Sequence, residues 1–248
     1  MLLPVNVTFG AVLAVLLAAG AAVVALAHLG RARDTVVAGV RAAVQLVAVS
    51  LVIGAVVHTL PLLLGFLLVM YAVAVRTAGR RITSDASWRW AALPIAAGVV
   101  PVVAALLLTG LVPLRGIALI PVTGILIGGA LTATVLAGRR ALAELETRHG
   151  EVEAGLAIGL PEREARLEVA RGAAADALLP GMDQTRTVGL VTLPGAFVGM
   201  LLGGASPLHA GAVQLFVLVA LMAVQAVAVA VALELVARGR LTRPGRGG

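Results

Sequence analysis

Long apolar runs alternating with short polar connectors set the pattern of this chain. Residues 5–27 are apolar over 23 positions except for Asn6 and Thr8, long enough at about 1.5 Å per residue to cross a hydrocarbon core of ~30 Å. Neither a basic stretch before this run nor a clear small-residue cleavage site after it marks a signal peptide, so it reads as a span. Residues 42–75 continue apolar for 34 positions, roughly 51 Å as one helix, too long for a single crossing. The string His58-Thr59-Leu60-Pro61 supplies the break, because proline has no N–H and biases its predecessor away from helix. Two spans joined by a tight turn result. Further runs at 90–112, 117–138, 188–204 and 211–233 complete a prediction of seven transmembrane helices in an all-α, polytopic membrane protein, a single transmembrane domain over 1–248.

Composition agrees. Apolar residues make up 60% of the 248 and charged ones 12%, against about 45–50% and about 25% in soluble domains, which excludes a water-soluble globule. All 19 basic residues are arginine; without lysine there is no Walker-type phosphate loop, so any ATP and Mg must be bound by another chain. Cysteine is absent, which excludes thiolate metal sites and cysteine nucleophiles. The arginines fall on alternate connectors: Arg31, Arg33 and Arg41 in the first, Arg76, Arg80, Arg81 and Arg89 in the third, seven between 139 and 187, and four in a basic tail over 238–248, with Arg115 alone on the other side. A division of 18 to 1 predicts an outside N-terminus and a cytoplasmic C-terminus. Topology and contact with anionic lipid then account for the net charge of +7 without nucleic acid.

No Asp, Glu, Lys, Arg or His lies inside the seven runs. Ion-coupled carriers use such groups to exchange the coupling ion, and membrane hydrolases need them for chemistry, so both classes lose ground and no catalytic or metal-ligating residue is expected. Polar side chains in the runs, Gln45, Ser50, Thr123, Thr132, Thr134, Gln214 and Gln225, have two readings: lining of a hydrophilic path, for which Gln45, Thr132 and Gln214 are the candidates, or interhelical hydrogen bonding. Gly124, Gly128 and Thr132 recur every four residues and permit close helix approach, at a static or a sliding interface.

Residues 139–187 carry 16 of the 31 charges and form the one large cytoplasmic insert. Arg139 to His149 continues the fifth span, with Gly150 as a stop. A short helix follows: Glu151 and Glu153 suit its N-terminal turn, Val152 and Leu156 share a face, and Gly159 ends it. Pro161 opens a second helix that runs to about Leu179, where Pro180 stops it. A short helix set off by turns between two spans is the element an ABC permease inserts into its ATPase. Glu153-Ala154-Gly155, three residues and Gly159, with Val169 at the next spacing, resembles the EAA loop of such permeases, although Ala170-Arg171-Gly172 departs from its ending. The resemblance assigns ATPase coupling to Glu151, Glu153, Ala154, Gly155, Leu156, Gly159 and Pro161.

Longer strings carry a second resemblance: Arg41-Ala-Ala-Val-Gln45-Leu46, Pro121-Val-Thr-Gly124-Ile-Leu-Ile-Gly128, Leu179-Pro180-Gly-Met-Asp183, Val188 through Pro194-Gly195, and Gly203-Gly204-Ala-Ser-Pro207-Leu with Gln214. These are similar to the Fet-type iron-export ABC permeases, whose plant relatives are implicated in aluminium tolerance. The resemblance implies a multi-pass subunit of the plasma (inner) membrane, a homodimer driven by a separate ABC ATPase, alternating access, and packing or gating roles for Gly124, Gly128, Pro194, Gly195, Gly203 and Gly204. Gly129 stands where the family has Asn, and Phe197-Val198-Gly199 where Met-Thr-Gly is usual. An importer permease for a small solute, or a non-transporting scaffold that recruits a soluble partner, are the other readings.

Overall fold

The computed structural model describes residues 5–112, 114 and 116–243, apart from the side chain of Ile117. Arg115, expected alone on the far side, and Arg246 of the tail lie outside the described residues. Helices account for almost all regular structure, and the β pairing among the described residues is one isolated bridge between Val188 and Thr192. Two compact units divide at His58.

The first unit is a pair of apolar helices, α1 (Val7–Leu26) and α2 (Ala32–His58). Asn6 caps α1 by accepting from the Phe9 N–H at 2.9 Å, and the chain reverses through His28 and Gly30, both at positive φ. The helices meet at Gly39, where a Cβ would stand 2.7 Å from Leu17 Cδ1. Val56 is the buried residue of α2, and α1 buries none; such all-round exposure of apolar side chains suits lipid.

The second unit contains α3 (Leu60–Ile82), a 3₁₀ turn at Ala86–Ala91 leading into α4 (Ala92–Leu108), α5 (Gly116–Thr147), α6 (His149–Ala157), α7 (Glu162–Ala175), α8 (Leu179–Thr187), α9 (Gly195–Leu202) and α10 (Pro207–Ala237). α5 and α10 pack together at its centre, with α3 against α5 and α4 against both. Lipid is as apolar as leucine, so spans associate through close packing rather than through a gain in burial from water. Small residues provide it here: Ala130, Ala133 and Ala137 of α5 and Ala228 and Ala232 of α10 are at most 1% exposed. Gly98 of α4 brings that helix onto α10, where a Cβ would sit 2.7 Å from the Val224 carbonyl oxygen, and Gly79 of α3 lies against the Trp88 carbonyl.

The arginine-rich ends are tied together. Arg80 and Arg240 lie over the rings of Trp88 and Trp90, 5.2 and 5.3 Å from their centroids. Thr242 Oγ1 donates to Asp85 Oδ2 at 3.1 Å, and the Thr242 N–H to Ser87 Oγ at 3.3 Å. The start of the basic tail is therefore folded onto the helix ends, with Leu241 fully buried.

Among the described residues, six helical segments are long and apolar enough to cross a membrane: α1, α2, α3, the 86–108 segment, α5 and α10. This is a multi-pass integral membrane protein. The expected sixth span, at 188–204, does not form as one helix. Its backbone turns at 188–192, and α9 has eight residues, about 12 Å long at 1.5 Å per residue. Gly189 at φ 83° and Pro194 at the α9 cap break a run that hydropathy alone reads as continuous. Two smaller boundaries also move. The break before α6 falls at Arg148, leaving Gly150 inside the helix, and Pro180 sits in the first turn of α8 instead of ending its predecessor. A proline in a first turn needs no N–H partner, so it starts a helix as readily as it stops one.

Gly79→Ala pushes a methyl into the Trp88 carbonyl and is expected to destabilise the protein by about 1–3 kcal/mol. Gly65→Ala, on the same helix with no described residue near its Cβ position, should be neutral or stabilising by up to ~1 kcal/mol. Thermal unfolding in detergent, followed by tryptophan fluorescence, checks the pair.

Candidate functional site

The insert between α5 and α10 begins as a helical hairpin. Val152 is buried with Ala165 and Val169 beside Leu145, and a Cβ on Gly155 would stand 3.1 Å from that of Ala165. Gly155 thus sets the spacing of α6 and α7. The hairpin turn has Gly159 at φ 91°, a conformation disfavoured for residues with a side chain, and the Leu160 N–H donates to the Gly155 carbonyl at 3.0 Å. Leu156, Ile158 and Leu160 remain exposed around this turn, Ile158 by 81%. Val152 and Leu156, expected on one face, divide between the α7 contact and the surface. Arg148 clamps Glu151, and that hydrogen bond holds the Glu151 carboxyl below its ordinary range. Glu153 meets His149 at 3.4 Å, Ala154 is exposed, and Pro161 caps α7.

α7 joins this hairpin to the spans. Arg163 Nε and Nη2 donate to the two carboxylate oxygens of Glu234 on α10, each at 2.7 Å. A two-pronged arginine–carboxylate pair fixes direction as well as distance. Farther along, Ala170 and Ala174 enter the core shared with α5 and α10.

Gly181 of α8 is buried against the Gln225 side chain of α10, with no room for a Cβ. On another side, Gly129 of α5 faces Leu221, and a Cβ there would lie 3.5 Å from Gln225 Nε2. The Gln225 amide fills the space that these two glycines leave. After α8 the chain turns sharply: the Thr187 carbonyl accepts from the Val191 N–H at 2.9 Å, and the Gly189 N–H donates to the Thr192 carbonyl at 2.8 Å. α9 then packs along the start of α10, with Phe197 at 4.0 Å from the Cβ position of Gly211. Gly211 and Gln225 are separated by about 21 Å of helix, so the bend at 188–194 falls along α10 between two anchored helices.

Gln214, Leu218, Leu221 and Gln225 follow the i, i+4, i+7, i+11 spacing of one helix face. Gln214 is 5% exposed, and its Oε1 is buried without a hydrogen-bond partner, as is Thr123 Oγ1 of α5. Of the other path candidates, Gln45 is exposed on α2 and Thr132 is exposed with its hydroxyl donating to the Gly128 carbonyl at 3.0 Å. Gly124 touches the Met70 methyl, whereas no described residue comes within 4 Å of a Cβ position on Gly128. Pro194 caps α9, Gly195 begins it, and Gly203 and Gly204 end it, Gly204 at φ 88°. Gly195 and Pro194 thus lie in the broken segment, Gln214 is buried on α10, and Gln45 and Thr132 lie elsewhere. Sequence reasoning passed over Arg163 and Glu234 as site residues, together with the docking of α8 on Gln225. The string Leu179-Pro180-Gly-Met-Asp183 was the available signal for the second.

With this geometry, the chain was compared with known proteins. Residues 8–240 match the uncharacterised protein family UPF0014. The chain belongs to this family. Its UPF0014 relatives include Protein ALUMINUM SENSITIVE 3 of Arabidopsis thaliana, 36% identical over 61% of this chain and 56% of that protein. The UPF0014 membrane protein YjkA of Bacillus subtilis is 29% identical over 78% of this chain and 79% of its own length. The probable iron export permease protein FetB of Escherichia coli is 30% identical over 51% of this chain and 48% of its own. This chain thus spans little more than half the length of the plant relative. No solved structure matches. The earlier resemblance to iron-export permeases and plant aluminium-tolerance proteins is upheld by these relatives.

The Arg163–Glu234 pair is half exposed, so Glu234→Gln should change thermal stability by no more than about 1 kcal/mol. If the pair holds the insert against α10, the same variant should speed proteolytic cleavage in the 158–161 turn about tenfold. The double exchange Arg163→Glu with Glu234→Arg should restore at least part of the protection. Limited proteolysis of the single and exchanged variants checks the link.

Proposed function

We propose that this chain is the membrane-spanning permease subunit of an ABC transporter that exports a metal, free or complexed, and is driven by a separate ATPase. Family membership supports the permease role, and the likeness to the probable iron export permease of Escherichia coli supports iron and export. The observation that carries the coupling role is the hairpin tip, where Leu156, Ile158 and Leu160 stand exposed on a turn braced by Gly155 and Gly159. A compact apolar knob suits insertion into a groove of a soluble partner, and Arg163–Glu234 links its base to α10.

In this reading ATP and Mg bind between two copies of the partner ATPase, and their closure pushes the α6–α7 hairpin of each permease copy. α7 passes the movement to α10 through Glu234 and to α5 through the alanine core, and the permease pair alternates between inward- and outward-open states. The arginine distribution supports an outside N-terminus and a cytoplasmic insert and C-terminus, and the likeness to bacterial relatives supports residence in the plasma (inner) membrane. α8, the bend and α9 then supply the seventh crossing in two pieces. No residue of this chain acts as a catalyst.

Gly159→Asp forces a charged side chain into left-handed backbone, and Leu156→Asp places a charge on the apolar knob, costing several kcal/mol if buried without a partner. Both are expected to insert normally yet lose ATPase co-purification and transport-linked hydrolysis, while Arg171→Gln on exposed α7 surface keeps both. Wild-type assembly and hydrolysis by Gly159→Asp and Leu156→Asp together would refute the docking role.

A further inference from the structure

The charged side chains that follow Gly181 belong to an element that composition assigns to the polar insert, yet Gly181 packs far along the spans from their arginine-rich ends. Three helices give the depth of Gly181 independently. Its contact, Gln225, is nine residues from Glu234 on α10; Gly129 is ten residues from Arg139 on α5; Gly98, which abuts Val224, is nine from Arg89 on α4. At 1.5 Å per residue these intervals are all about 13–15 Å, close to half of a ~30 Å hydrocarbon core. Beyond Gly181 the chain proceeds to Phe197 beside Gly211, nearer the opposite end of α10. Asp183, Gln184 and Arg186 therefore lie at or past mid-depth, and all three are exposed within this chain.

Charged groups facing lipid cost too much to persist, so at this depth they face water or another protein surface. The backbone leads to the same conclusion. Non-helical chain at membrane depth, such as the bend at 188–194, is stable where it lines a hydrated cavity or is covered by protein. Gln214, nine-tenths buried with an unpartnered Oε1, lies on the same α10 face as Gln225, a face that Gly129 of α5 also meets at Leu221.

We propose that α8 and the bend after it line a water-filled passage at mid-membrane in which Asp183 contacts a positively charged substrate. This rests on the transport reading and names the part of the chain the substrate meets. The available donors, the Asp183 carboxylate, the Gln184 amide and the Thr187 and Thr192 oxygens, are all oxygen, which suits a hard cation. Arg186 stands 3.6 Å from Asp183 and balances its charge between passages; an arriving cation takes over that carboxylate and leaves Arg186 to water. Among the described residues no group of three or more His, Asp or Glu side chains gathers to hold a metal. A single carboxylate at the bend fits brief contact in transit, where release matters as much as binding.

The absence of native cysteine makes thiol labelling a direct test that needs no ATPase. Gln184→Cys in the full-length protein, in sealed vesicles, is exposed to a cationic and an anionic water-soluble methanethiosulfonate reagent of similar size, with Glu164→Cys on the insert as reference. The cationic reagent should label position 184 at least about tenfold faster than the anionic one, in the range by which charged clefts enrich counter-ions, and more slowly than it labels position 164. Adding Asp183→Asn should abolish that preference, and adding Arg186→Gln should increase it. Equal rates for the two reagents, a cationic rate matching position 164, no labelling, or a preference insensitive to Asp183→Asn would each overturn the proposal. Loss of ATPase assembly with charge-selective labelling intact would instead count against the transport reading alone.

Discussion

The Gln225 amide, held between Gly129 of α5 and Gly181 of α8, is the contact on which the arrangement of the second unit depends. A side chain at either glycine would collide with Leu221 or with Gln225 itself, so α10 could not keep both neighbours at this separation. In a bilayer a polar amide has no water to fall back on, and leaving one unsatisfied costs about 1–3 kcal/mol. The backbones of two helices enclose the amide and fix where α8 meets α10. Here α5 contributes no amide at that level, and α10 contributes one.

From that contact the functional geography follows in both directions. Toward the arginine-rich end, α7 carries the fold back through an alanine core to Arg163 and Glu234, and then to the α6 hairpin with its exposed apolar tip. Toward the other end, the chain bends at 188–194 and returns through α9 to Gly211. One continuous stretch, residues 149–206, thus joins a surface suited to a soluble partner with a broken crossing suited to a passage. Movement of the hairpin reaches the bend without leaving α7 and α8.

Much of this was legible in the sequence. Five spans and the last long helix stood out because uninterrupted apolar length is the dominant physical requirement of a crossing, and the short helix ending at Gly159 was marked by its own turn residues. The sixth expected span was misread because hydropathy scores side chains and is blind to backbone: Leu190, Val191 and Leu193 are apolar, yet Gly189 and Pro194 break the helix around them. The packing of α8 on α10 was hidden for the converse reason, since Asp183 and Arg186 look like connector residues and no local pattern relates Gly181 to Gln225. Glu234 and Arg163 lie 71 residues apart, and no local pattern relates them.

The central claim is that α8 docks at mid-depth on α10 instead of remaining at the arginine-rich end. Spin labels at Gln184 paired in turn with Arg238 and with Ser206, in protein reconstituted into bilayers, measure this directly by pulsed electron resonance. Docking at Gln225 places position 184 along α10 about 20 Å from Arg238 and about 27 Å from Pro207, so the two distances should be comparable. A continuous 188–204 helix would leave position 184 level with Arg238 and more than ~40 Å from Ser206, and that pair of distances would contradict the account.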